Sequence, residues 1–171
     1  MKTLGKIVGG VAGTLAVLVL LFVAYARVFG FDAGPWRPGL WIRGETVTAH
    51  PDDWTFAKDR GGNTMVQTRD HVIPGLAFSV TTARFIHDGD LYLGSGYATG
   101  VMMPGARRWN QNIVADPVVR VRIDGNVYDG RLVYLDDQEI QEAICRDYGQ
   151  RISLLWQPGY FIHLWRFEPL A

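Results

Sequence analysis

Two arginines and a tryptophan, Arg107, Arg108 and Trp109, stand at the predicted start of a short helix that ends at Asp116-Pro117. The free amides and the dipole of a helix N-terminus favour an anion, and guanidinium groups match phosphate oxygens. The stretch therefore suggests a phosphate-binding site. The alternative is that Trp109 packs on the core together with Ile113, four residues later, while the arginines are solvated. Taken alone, the stretch favours this alternative.

A glycine-rich stretch precedes these arginines, running from Gly94 through Ser95 and Tyr97 to Gly100. It matches neither G-x-G-x-x-G nor a P-loop, which needs Lys-Ser/Thr at its end. Because it follows a predicted strand, its amides can cradle an anion. Glycine-rich stretches of this kind are more often flexible connections, and that interpretation is favoured here.

The remaining reactive residue types form no recognisable catalytic pattern. The four histidines have no ligand-like spacing, so a metal site is not predicted. Neither Ser79 nor Ser95 lies in a G-x-S-x-G elbow, and Cys145, the single cysteine, cannot form an internal disulfide. No side chain is assigned a catalytic acid–base role, and the catalytic residues stay unknown.

An uncharged run from Ile7 to Tyr25, flanked by Lys6 and Arg27, predicts one membrane span. Nineteen helical residues cover roughly 28 Å, about the thickness of the hydrocarbon core of a bilayer. A cleaved signal peptide is the rival interpretation, but the run exceeds the usual length of a signal core. The two lysines of the N-terminal tail weakly favour a large domain on the outer, periplasmic side.

The chain from Phe31 onward carries 14 basic and 17 acidic residues, since three of the 17 basic residues precede it. This excess of acid argues against nucleic-acid binding, which needs a basic surface. Beyond the predicted anchor, Lys58 is the only lysine.

Several short strands are predicted, joined mainly by hairpins at Asp88-Gly89 and Asp124-Gly125. Val118 to Asp124 alternates, with the aliphatic side chains predicted to face inward and the arginines outward. The best predicted helix runs from Asp136 to Tyr148, with Asp136 as cap. Its predicted apolar face consists of Ile140, Ala143, Ile144 and Tyr148. The remaining predicted strands are Trp41–Val47, Thr64–Thr68, Leu76–Ile86, Leu91–Ser95, Val127–Leu135 and Tyr160–Phe167. Successive hairpins imply an antiparallel sheet, and closure into a barrel removes its edges.

The order of these motifs, "DGDLYLGSG", a loop, "RRWNQNIVADP" and then "VVRVRIDGNVYDG", resembles the flavin-binding split-barrel superfamily. This superfamily includes the pyridoxamine-phosphate-oxidase-like proteins and the deazaflavin-dependent nitroreductase relatives. The resemblance covers roughly residues 64–135 and implies a mainly β fold, an antiparallel split β-barrel with two peripheral helices. It also implies a homodimer with a flavin-type cofactor, FMN or a deazaflavin, at the dimer interface.

Family members hold the cofactor phosphate with an Arg and a Lys on barrel strands, whereas this chain has Ser79, Thr81 and Thr82 on the matching strand. The cofactor-binding residues expected instead are Arg84, Ser95, Arg107 and Arg108 for the phosphate, with Thr81, Tyr97 and Trp109 as further contacts. The lost lysine and the predicted anchor are departures from the family pattern.

Three segments are therefore expected: a transmembrane anchor (residues 1–30), a linker and lead-in segment (31–63) and a split β-barrel domain (64–171). The first hypothesis is a membrane-anchored oxidoreductase that binds FMN or a deazaflavin. The second is a cofactor-free accessory subunit of a membrane complex, and a protein for haem or another small ligand is a third. The expected partners are the lipid bilayer, through residues 7–25, and either a second copy or the subunits of a membrane complex.

Overall fold

A long N-terminal helix, α1 (Lys2–Phe29), precedes the folded domain. The computed structural model describes residues 2–34, 37–58, 63–98, 104–148 and 160–170. Within α1 the segment Lys6–Phe29 contains an 18-residue window with a mean hydropathy of 2.6, none of which is buried by the rest of the chain, so the segment is long and apolar enough to cross a membrane. At Gly30 the backbone turns left-handed (φ +83°), and its amide donates to the carbonyl of Ala26, which ends the helix.

Six strands close into an antiparallel barrel, as the sequence predicted. They are β2 (Asn63–Arg69), β3 (Ala77–His87), β4 (Asp90–Ala98), β5 (Val118–Ile123), β6 (Asn126–Tyr134) and β7 (Tyr160–Pro169). Their order around the barrel is β6-β5-β2-β3-β4-β7, and β7 pairs with β6 to complete the circle. A short strand, β1 (Glu45–Val47), adds in parallel to β6. Two described helices, α2 (Arg108–Ala115) and α3 (Gln138–Tyr148), lie outside the sheet, and a 3-10 turn spans Thr55–Ala57.

Two Asp-Gly turns set the hairpins, and both lie where they were predicted. Asp88 and Gly89 have φ of 51° and 83°, and Asp124 and Gly125 have φ of 52° and 86°. Positive φ at both central residues is the type I′ geometry, which matches the twist of paired strands.

The barrel interior is filled by every second side chain along the strands. On β5, Val119, Val121 and Ile123 are at most 3% exposed, so the predicted inward face is confirmed. Trp54 and Trp109 belong to the same cluster, Trp54 from the segment before β2 and Trp109 from α2.

The start of α3 differs from the prediction, and so does one residue of its apolar face: Ile144 and Tyr148 are buried as predicted, but Ile140 is not. Asp137, not Asp136, caps the helix, since its Oδ1 accepts the amide of Ile140 at 3.1 Å. Ile140 is 42% exposed, and Gln141 lies inward instead, where its amide group bonds the backbone of Leu135 and Leu164. An apolar side chain at this position would remove both of these hydrogen bonds to the backbone. The described helix ends at Tyr148, the last residue of the predicted helix.

The barrel is split beside β3. β4 pairs with β3 only from Ala83 to His87, while its farther half pairs with β7. The segment that follows α1 lies along the β3 edge left open there, because Gly39 and Ser79 exchange two backbone hydrogen bonds of 2.9 and 3.0 Å. We call the described residues of this segment, 30–34 and 37–44, the strap.

Some predicted boundaries were wrong for local reasons. The strand predicted from Trp41 begins only at Glu45, because the residues before it belong to the strap. Gly96, predicted to lie beyond the strand Leu91–Ser95, is inside β4, as is Gly94. A Cβ at Gly94 would lie 2.6 Å from the Phe85 ring, so this glycine serves close packing. The end of the predicted flexible connection, at Gly100, lies outside the described residues.

Candidate functional site

Helix α2 lies over one end of the barrel and sends two asparagines inward. Asn110 and Asn112 are both fully buried. Asn110 donates to the Ser95 hydroxyl at 2.8 Å, and its Oδ1 accepts the indole N–H of Trp165 at 3.2 Å. Ser95, a predicted phosphate contact, therefore lies 2% exposed inside a hydrogen-bonded group that joins α2, β4 and β7.

Asn112 forms the second inward contact of α2. Its Nδ2 donates to Thr68 at 2.8 Å, and its Oδ1 accepts the backbone amide of His71 at 3.0 Å. The imidazole Nδ1 of His71 lies 2.5 Å from the same oxygen. The side-chain amides of both asparagines are buried and hydrogen-bonded, so they hold α2 in position on the barrel.

Arg108 pairs with Asp70, a carboxylate that the sequence analysis did not single out. Its Nε and Nη2 donate to the two carboxylate oxygens at 2.7 and 2.6 Å. Burial alone raises the pKa of Asp70, but hydrogen bonds from Arg108 and from the amides of Ile73 and Val72 outweigh it and hold the pKa below its usual range. The hydrogen bonds that Arg108 donates to Asp70 raise the pKa of Arg108, so both groups stay charged at neutral pH.

Arg107 is the residue that precedes the first turn of α2. Its backbone is extended (φ −78°, ψ 116°), and no described side chain caps the first turn of the helix. Its exposed guanidinium donates to the carbonyl of Gly96 at 2.6 Å, next to Ser95 on β4. Arg107 and Arg108 thus stand together at a helix end that is already positive, where cations are disfavoured unless something offsets them.

Trp109 is 5% exposed and packs in the main core, as the packing alternative predicted. Arg107, Arg108, Ser95 and Trp109 therefore share one neighbourhood, which we call the α2 head. Trp109 holds the helix in place there.

Two further candidates lie elsewhere. Arg84 is 3% exposed and donates to Thr64 at 3.2 Å, deeper between β3 and β2. Burial lowers its pKa from the usual arginine value. Thr81 pairs in register with Met65, on the face of β3 opposite to that of Arg84. The side chain of Tyr97 lies outside the described residues, although its backbone is in β4.

A histidine–tyrosine pair near Ser95 escaped the sequence analysis. His163 is the register partner of Ser95, and its Nδ1 lies 2.6 Å from the Tyr134 hydroxyl. Both residues lie in strands, where a lone histidine or tyrosine carries no motif, and only the β4–β7 and β6–β7 pairings bring them together. Elsewhere, the described residues contain no group of three potential metal ligands.

No family model matches the sequence, and no curated protein matches it. Solved structures do match in fold. A NimC/NimA family protein from Clostridium acetobutylicum matches at 13% identity and a TM-score of 0.46, over 62% of this chain and 73% of that chain. An FAD-binding protein from Mesorhizobium loti matches at 20% identity and a TM-score of 0.46, over 68% and 87%. HutZ, the heme storage protein from Vibrio cholerae, matches at 12% identity and a TM-score of 0.48, over 68% and 87%.

All three structures are at most 20% identical to this chain, with TM-scores below 0.5. At these identities the similarity concerns the fold alone. The strand order and register described above define that fold in this chain.

Proposed function

We propose that this chain is a membrane-anchored split-barrel oxidoreductase that binds FMN or a deazaflavin through its phosphate at the α2 head. The observation that supports this proposal most is the placement of Arg107 and Arg108 at the uncapped start of α2. Helix N-termini disfavour cations. A sequence that departs from a local rule often does so at a functional site.

The phosphate end of such a cofactor fits the α2 head better than its ring does. Two guanidinium groups and a positive helix end are the donor set that phosphate requires. The ring has fewer described contacts, since Trp109 and Ser95 are both buried. When bound, a flavin supplies the electron-transfer chemistry, and the chain supplies binding and electrostatics.

A second function is favoured by a different observation: the polar groups at the α2 head already satisfy one another. Arg108 is neutralised by Asp70, and Ser95 is bonded to Asn110. A barrel whose phosphate-binding groups have become structural would serve as a cofactor-free accessory subunit of a membrane complex.

The visible absorption spectrum of the gently purified full chain separates these functions. We expect a flavin or deazaflavin band, or saturable binding when FMN and a deazaflavin are titrated into the detergent-solubilised protein. Arg107→Ala should weaken that binding, whereas Arg131→Ala, an exposed arginine on β6 that pairs with Glu168, should not. A wild-type protein that binds neither cofactor would exclude the oxidoreductase and leave the accessory subunit. A haem band would point to the third hypothesis.

A further inference from the structure

The strap fixes which face of the barrel lies beside the membrane-spanning helix. Asp32 of the strap accepts two hydrogen bonds from Arg122 of β5, at 3.1 and 2.6 Å. The amide of Ile42 donates to the side chain of Gln67 of β2 at 2.7 Å. Arg122 and Gln67 both point outward, because their register partners and the buried alternation place the core on the other side of the sheet.

The distance from this face to the end of the span is short. Asp32 is three residues beyond Phe29, the last residue of α1. Three extended residues reach at most about 11 Å. If α1 spans a bilayer, the outer face of β2 and β5 therefore lies close to the lipid headgroups.

A groove of about 370 Å³ lies on this same face, next to the strap. Its lining includes Gln67, Arg69, Val118, Arg120, Asp129 and Leu170. Gln67, which the strap contacts, is the register partner of Arg120. Arg120 is two residues from Arg122 and on the same face, which places it roughly 7 Å farther along β5.

The charges of the groove have both signs and stay accessible. Arg120 donates to both oxygens of Asp129 at 2.7 and 2.8 Å, with the two side chains 35% and 39% exposed. Arg69 is 73% exposed and pairs with Asp116 at 2.9 Å. Two of the five N–H donors of Arg120 meet Asp129, and exposed ion pairs of this kind contribute little to stability. These charged side chains can therefore bind a ligand, either in addition to their present partners or in place of them.

We infer that this groove binds a zwitterion that carries a phosphate and an ammonium group, supplied by the headgroup of phosphatidylethanolamine. The phosphate meets the guanidinium groups of Arg69 and Arg120, and the ammonium meets the carboxylate of Asp129. Val118 and Leu170 offer apolar surface to the adjoining glycerol and acyl carbons. A purely anionic headgroup suits the groove less, because Asp129 repels it. The choice of a lipid as the source rests on the proposed membrane anchoring, whereas the zwitterion chemistry does not.

Native mass spectrometry of the full chain in detergent tests this inference. The protein is mixed with phosphatidylethanolamine and phosphatidylglycerol in equal amounts, and in a separate arm with soluble phosphoethanolamine. The variants are Arg69→Gln and Arg120→Gln. The matched control is Arg166→Gln, an exposed arginine on β7 that pairs with Glu168 away from the groove lining. A thermal melt of each variant reports whether it is folded. If the Arg120 variant does not fold, the Arg69 variant still tests the site, because Arg69 is highly exposed.

We expect phosphatidylethanolamine to be retained over phosphatidylglycerol, with about tenfold weaker retention in each groove variant and no change in the control. Equal retention of both lipids, or equal loss in the control, would overturn the zwitterion site. Binding of phosphoethanolamine with the same arginine dependence, and no preference for the lipid, would keep the site and replace its source by a soluble zwitterion. Because Arg107 does not line the groove, a failure of cofactor binding and a failure of this site are separate results.

Discussion

Arg108 and Asp70 form a two-armed ion pair that joins the first turn of α2 to the residue following β2. The Asp70 side chain is 1% exposed, whereas that of Arg108 is 37% exposed. Asp70 also accepts the amides of Val72 and Ile73 at 2.9 and 2.8 Å. One carboxylate therefore organises the β2–β3 connection and offsets a cation at the positive end of a helix.

Asp70→Asn should destabilise the protein by roughly 2–4 kcal/mol, because it removes a buried charge-assisted pair and leaves Arg108 at the helix N-terminus. Thermal melts of the detergent-solubilised chain measure this. The control is Asp116→Asn, which breaks the exposed pair with Arg69 and should cost about 1 kcal/mol or less. Equal losses in the two variants would mean that Asp70 is solvated in solution.

The same pair predicts a pH dependence. The folded pKa of Asp70 is lowered, so the carboxylate contributes stability above its unfolded pKa of about 3.9. That contribution is lost as the pH falls through the folded pKa. The difference in melting temperature between wild type and Asp70→Asn should stay constant from about pH 7 to 5 and shrink below about pH 4. A difference that widened on acidification would contradict the assignment.

The sequence predicted those features of the fold that are determined by residues close together along the chain. Alternation in β5 and the two Asp-Gly turns depend on residues at most a few positions apart. The Asp70–Arg108 pair joins residues 38 positions apart, and the strap joins Gly39 to Ser79. Nothing in either local sequence distinguishes these residues, since their partners are decided by the closure of the barrel.

Val121→Asp should cost several kcal/mol or prevent folding, because Val121 is fully buried in the barrel and the new carboxylate would have no partner there. Val133→Asp is the matched control: Val133 is 37% exposed and lies on the outer face of β6. It should change the melting temperature little. Similar melting temperatures for the two variants would show that the inward register is wrong.

Gly39→Ala should detach the strap from β3. A Cβ at Gly39 would lie 2.3 Å from the amide nitrogen of Ala33, 2.4 Å from the carbonyl oxygen of Phe31 and 2.5 Å from Ser79 Oγ. Two of these atoms are backbone, so the strap must move, and we expect faster hydrogen exchange at Leu40 and Ile42. The control is Gly13→Ala in α1, where a Cβ meets nothing within 4 Å. Unchanged exchange in the strap of Gly39→Ala would show that the strap does not hold this position in solution.

The full chain should resist extraction by alkaline carbonate and require detergent. The segment Lys6–Phe29 is 24 residues long and covers about 36 Å as a helix, enough for the hydrocarbon core. Release of intact protein by carbonate would contradict the anchor. A mature N-terminus at Arg27, measured by mass spectrometry, would identify a cleaved signal peptide instead.

Four of the seven predicted site residues lie together at the α2 head. Local sequence patterns predicted only part of this arrangement. The short helix and its start at the arginines follow from "RRWNQN" and the Asp116-Pro117 stop. Arg84 and Thr81 also belong to one predicted strand, but their positions differ by an odd number, so they lie on opposite faces. Their role in cofactor binding stays a prediction.

Arg107 and Arg108 should act differently when each is replaced by Ala. Arg108 is paired with Asp70, so Arg108→Ala leaves a buried carboxylate without its guanidinium and should lower the melting temperature clearly. Arg107 is exposed and bonds a carbonyl, so Arg107→Ala should leave the melting temperature nearly unchanged. If the α2 head binds a phosphate, Arg107→Ala should instead weaken FMN or deazaflavin binding by about ten- to a hundredfold, the value of one charge-assisted contact. Parallel titrations and melts of the two variants measure both effects. Cofactor binding that survives Arg107→Ala unchanged would place the phosphate elsewhere, with the buried Arg84 as the next residue to replace.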